Sequence, residues 1–140
     1  MDANALLYPV FVLIGLTAVL HVAMGRARIG SLKRGEVKVD DILLGQPGWT
    51  ARATQIGNSY HSQHELPVLF YVLVAFILIT NKSDMIFLGL AWAFALSRLA
   101  HAYIHTTSNN INARFPAYAA GAAVLMLMWV LFAYRIISGN

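Results

Sequence analysis

The 140-residue chain is 59% hydrophobic and only 11% charged, with a formal net charge of +4 and a mean hydropathy of +0.62. A soluble domain of this length would carry roughly twice that charged fraction. The absence of cysteine excludes disulfides, thiolate metal sites and a cysteine nucleophile. The basic excess sits beside apolar stretches, where it reports membrane topology rather than nucleic-acid binding.

The N-terminal segment MDANALLYPV has neither a basic leader nor a small-residue cleavage site. Its apolar run is expected to be retained as a first membrane span over 6–24, with His21 near its end. A polar connection over 25–50 follows, rich in glycine and mixed charge and closed by a Gln-Pro-Gly turn signal. Within it, 37–44 reads as a short ordered piece on the membrane surface, and Trp49 suits the headgroup region. A second span over 58–80 begins with two polar turns. Pro67 predicts a kink there, unless those turns form a separate helix above the membrane. A tight turn at 81–84 leads to a third span over 85–105, and the loop TTSNNINA leads to a fourth over 114–137, with Pro116 in its first turn. The expected fold is a single all-α membrane domain over 1–140, a bundle of four transmembrane helices without internal repeats.

Six of the ten Lys and Arg residues, Arg26, Arg28, Lys33, Arg34, Lys38 and Arg52, lie between the first and second spans. Positive charge favours the cytoplasmic side. The first and third connections are therefore expected in the cytoplasm and both termini on the opposite side.

On a helix of about 100° per residue, Asn58, His61 and Glu65 stand at i, i+3 and i+7 and share a face. Arg98, His101 and His105 repeat the spacing on span three. Arg114 joins them from the start of span four, and Arg52 lies just before span two. Ionisable groups at membrane depth are costly and persist mainly where they face a protein interior or a polar cavity. Their arrival near one membrane face marks a candidate site. Structural readings of the same residues also exist. Polar stripes tie helices together, Glu65 and Arg98 can form a buried pair, and Arg114 can snorkel to the interface. His21 reads as structural, and His64 points about 120° away from the stripe, towards packing or a neighbouring subunit. His61 with His64, and His101 with His105, have helical spacing for a metal or haem. No cysteine or second nearby carboxylate reinforces such a site, and no nucleophile elbow is present.

The segments RATQIGNSYHSQHELPVLFY (52–71) and SRLAHAYIHTTSNNINARFPAYAAG (97–121) resemble the family of membrane-associated proteins in eicosanoid and glutathione metabolism. The second segment is similar to the microsomal glutathione transferases, and the first to a bacterial subgroup with an Asn, then Glu-x-Pro and an aromatic pair. The resemblance implies a homotrimer of four-helix subunits, expected here in a bacterial inner membrane. It implies glutathione as co-substrate, bound between neighbouring subunits near the cytoplasmic face. Carried over by position, Arg114 becomes the residue that stabilises the thiolate. Arg52, Asn58, His61, Glu65, Arg98, His101 and His105 become candidates for holding the peptide. Asn58 and Glu65 stand seven apart where the family usually has three, and His105 stands where a tyrosine is common.

Physical chemistry supports such a role for Arg114. A free thiol has a pKa near 8.5, and a neighbouring cation lowers it, each unit being worth about 1.4 kcal/mol. Arginine stays charged when partly desolvated, and a helix start adds a dipole favourable to an anion. A lipophilic electrophile or lipid hydroperoxide would arrive from the bilayer and the water-soluble thiol from the cytoplasm. The expected activity is thus a glutathione-dependent transferase or peroxidase. The alternatives are a non-catalytic lipid-binding or scaffolding protein of the same fold and, further off, a small haem or metal membrane protein.

Overall fold

The computed structural model describes residues 2–139. Five α-helices follow in order: α1 (Leu7–Lys33), α2 (Ala51–Ser62), α3 (Leu66–Ile79), α4 (Met85–Thr106) and α5 (Ile111–Ser138). No strand occurs among the described residues. Four helical stretches are long and apolar enough to cross a membrane, with α2 and α3 counting as one. The chain is accordingly an all-α, multi-pass membrane protein.

Several boundaries differ from the sequence expectation for physical reasons. The first helix runs on past Met24 to Lys33, because Gly25 and Gly30 are tolerated inside it and no breaker appears before Gly35. Gly35 adopts φ +70°, the left-handed region that ends helices cheaply. The ordered piece expected over 37–44 is only a 3-10 turn at Val39–Asp41. Span two is broken rather than kinked. Ser62 ends α2, and Pro67 sits in the first turn of α3, where it lacks an N–H that would have no partner anyway. The fourth span begins at Ile111, so Pro116 lies in the second turn of α5 instead of the first.

Side-chain caps fix three of the helix starts. Thr50 accepts from the Ala53 N–H, Asp84 from Phe87 and Asn110 from Asn112. At the end of α3, Asn81 takes the left-handed conformation, φ +57°.

α4 packs against α5 and also touches α1 and α2, while α1 lies along α2. The apolar core gathers Phe70, Leu73, Val74 and Ile77 of α3, Phe87, Ala91, Phe94 and Ala95 of α4, and Leu125, Met128 and Phe132 of α5. Leu6 and Leu13 close it from the N-terminal side. Gly121 permits the close approach of α5 to α4, since a Cβ there would stand 2.4 Å from Ser97 Oγ. At the opposite end from the polar residues, Arg135 of α5 pairs with Asp84 at 2.5 Å and lies over the Phe87 ring. Partial burial works against the Asp84 carboxylate, but the Phe87 N–H and Arg135 together hold its pKa below the ordinary value.

Candidate functional site

The inward stripe of α4 changes chemistry along its length. Phe87, Ala91, Phe94 and Ala95 are apolar, and Arg98, His101 and His105 continue the same buried face as polar groups. One end of the bundle is therefore dry, and the other carries a polar interior.

Arg98 is fully buried. Its Nη2 donates to the Ser62 carbonyl at 3.1 Å and to Ser62 Oγ at 2.7 Å. Ser62 ends α2, so its carbonyl has no partner within the helix, and Arg98 supplies one. The guanidinium also faces the Tyr118 ring at 5.8 Å, while Nε and Nη1 meet no acceptor among the described residues. The alternative in which Glu65 and Arg98 form a buried ion pair is not what the described residues show: the break after Ser62 turns a carbonyl towards Arg98 and leaves Glu65 exposed at the start of α3.

His101 Nδ1 lies 3.2 Å from the Arg114 carbonyl oxygen. A carbonyl only accepts, so Nδ1 carries the proton and donates it, leaving Nε2 as the acceptor of the neutral ring. This bond ties α4 to the first turn of α5. The Arg114 guanidinium is steered by Asn109, whose Oδ1 accepts from Nη1. His105 Nδ1 is sealed from solvent and meets no hydrogen-bond partner among the described residues.

These groups surround a cavity of about 250 Å³ lined by Asn58, Ser62, Glu65, His101, His105, Ile111, Arg114, Phe115 and Tyr118. Of the residues expected at a site, Asn58, Glu65, His101, His105 and Arg114 meet here, and Arg98 sits behind them. Arg52 and His61 do not line it. Arg52 donates to the Thr106 carbonyl at 2.5 Å, and Gln55 donates to the His105 carbonyl at 2.8 Å, so both fasten α2 to the end of α4. His61 lines a second cavity on the other side of α2, with Asn58 between the two. His21 and His64 pack their rings against Tyr60.

Sequence reasoning missed Ser62, Asn109 and Tyr118. Helical spacing carried a signal for two of them. Ser62 follows Asn58 by four, and Tyr118 follows Arg114 by four, so each shares its neighbour's face. Ile111 and Phe115 give the cavity an apolar rim, 55% and 63% exposed.

A four-span membrane bundle with a polar cavity at one end defines the class. The chain belongs to the MAPEG family, whose family model matches residues 6–134. That family includes glutathione transferases and related membrane proteins. No curated protein and no solved structure matches the chain.

Proposed function

We propose that the protein is a glutathione-dependent membrane transferase or peroxidase of the microsomal glutathione transferase type. It activates the glutathione thiol for attack on a lipophilic electrophile or lipid hydroperoxide. The observation that carries this reading is the charge pattern of the cavity. Glu65 and Arg114 face one space, and among the described residues neither has an ion-pair partner. Glutathione brings one ammonium, two carboxylates and a thiol. Glu65 suits the ammonium, Arg114 an anionic group, and Asn58 the peptide. Calorimetric titration with glutathione tests the reading. Glu65→Gln is expected to weaken binding by about tenfold, the effect of losing one charge-assisted contact. Unchanged affinity in Glu65→Gln removes the ammonium assignment.

In this reading the working unit is a homotrimer, and each site is completed by a neighbour. A four-span subunit has little room for both a dry core and a ligand cavity, and the exposed rim of Ile111 and Phe115 calls for apolar cover. Native mass spectrometry should give a trimer; a monomer that still binds glutathione would contradict the shared site.

The cavity end belongs in the cytoplasm of a bacterial inner-membrane protein, because the basic residues cluster there. In this cysteine-free chain, cysteines placed at Lys38 and Ser108 should be shielded from an impermeant thiol reagent in intact cells, and one at Ser83 labelled. The opposite pattern inverts the topology.

A further inference from the structure

The connection between α4 and α5 covers residues 107–110, and two adjacent asparagines in it do different work. Asn110 caps α5, its Oδ1 accepting from the Asn112 N–H at 3.0 Å. The Asn109 side chain caps neither helix. Its backbone takes the left-handed conformation, φ +52°, and its N–H closes the end of α4 on the Ile104 carbonyl at 2.7 Å. The amide is then free to reach forward, and Oδ1 accepts from Arg114 Nη1. The Arg114 backbone is held as well, because its carbonyl accepts from His101 Nδ1 at 3.2 Å. Arg114 is thus fixed at both ends. A guanidinium carries five N–H donors, so the rest of the fork stays available to an anion in the cavity.

Three requirements meet at position 109. A left-handed backbone admits Gly, Asn and Asp far more readily than other residues. Holding a guanidinium needs an acceptor, which glycine lacks. Aspartate would supply one, but its carboxylate would pair with Arg114 and offset the charge that the cavity presents. Of the three, only asparagine orients the arginine and leaves it cationic. The bond is exposed, so its consequence is the direction of the guanidinium more than the stability of the fold. We propose that Asn109 is a positioning residue of the site: its neutral amide aims the Arg114 guanidinium at the cavity without neutralising it, and so keeps the full cationic charge for the glutathione thiolate. This rests on the role proposed for Arg114. The charged and titratable groups around Arg114 are Glu65 at the start of α3, His101 and His105 of α4 with Arg98 behind them, and Tyr118 of α5. Arg52 of α2 reaches the Thr106 carbonyl beside the connection. The connection itself brings none. All of these remain when position 109 is changed, so a shift relative to wild type belongs to that position.

The test follows the absorbance of bound glutathione thiolate against pH, together with turnover, in the full-length protein in detergent. Asn109→Asp keeps the backbone conformation and the acceptor and adds only a charge. It should raise the pKa of the bound thiol by about one unit, the effect of a nearby negative charge. Turnover should then fall by up to about tenfold at neutral pH and recover at alkaline pH, where the thiolate forms again. Asn109→Gly keeps the left-handed backbone but has no acceptor. It should lower kcat by about tenfold with KM little changed, because the arginine is no longer aimed. In the Arg114→Ala background Asn109→Gly should cost nothing further, since the amide acts only through the guanidinium. A wild-type thiol pKa and turnover in Asn109→Asp overturns the proposal, because a merely structural contact survives that change. So does wild-type turnover in Asn109→Gly, or a further loss from it in the Arg114→Ala background. A wild type that binds no glutathione, or shows no thiolate band, overturns the proposed function and takes this inference with it, a result distinct from any seen in the variants alone.

Discussion

Arg114→Ala is expected to lower turnover by about 10- to 1000-fold while changing glutathione affinity far less. The range corresponds to losing one preorganised electrostatic contact of roughly 1.4 to 4 kcal/mol with a developing or ionised thiolate. A contact made mainly with the charged state acts on the rate rather than on binding. The geometry makes the substitution clean. The backbone carbonyl of Arg114, which accepts from His101 Nδ1, survives the change, so the α4–α5 tie remains. Only the guanidinium steered by Asn109 is removed. Arg114→Lys should recover part of the loss, because a mobile point charge replaces a planar fork. Steady-state kinetics alongside calorimetry separate the two quantities. A parallel fall in affinity and rate would make Arg114 a binding residue instead.

Arg98→Met is expected to be the most destabilising single change at the polar end, by on the order of 3 kcal/mol, the loss of hydrogen bonds to a charged group plus an orphaned buried carbonyl. Arg98 is fully buried and gives both the Ser62 carbonyl and its hydroxyl a donor. Removing it leaves the end of α2 uncapped within the bundle and loosens the α2–α3 break against α4. Thermal unfolding in detergent measures the cost. A melting temperature equal to wild type would mean that water or the neighbouring helices satisfy Ser62 without Arg98.

The bundle was legible because bilayer thickness writes itself into sequence as long apolar runs. The helix ends were less so. Polarity suggested that α1 stops near Met24, but a helix can project from the membrane into water, and its end is set by Gly35 instead. The spacing of Asn58, His61 and Glu65 assumed one continuous helix. The break after Ser62 resets the register, so Glu65 reaches the cavity from α3 while His61 faces the other way. By contrast, α4 is unbroken, and its i, i+3, i+7 stripe of Arg98, His101 and His105 is buried as a unit. The choice of Ser62 over Glu65 by Arg98 depends on where a carbonyl points, which no residue pattern encodes. Asn109 was equally hidden, since it acts from a loop outside any helical period.

The central claim is that this cavity ionises a thiol beside Arg114. Its most direct test is the ultraviolet absorbance of the glutathione thiolate, recorded at neutral pH as glutathione is added to the purified wild-type protein and to Arg114→Ala. The account predicts a saturable thiolate band with the wild type that is strongly reduced in Arg114→Ala while glutathione still binds. A wild type that binds glutathione without any thiolate band, or a band of equal strength in Arg114→Ala, would contradict it.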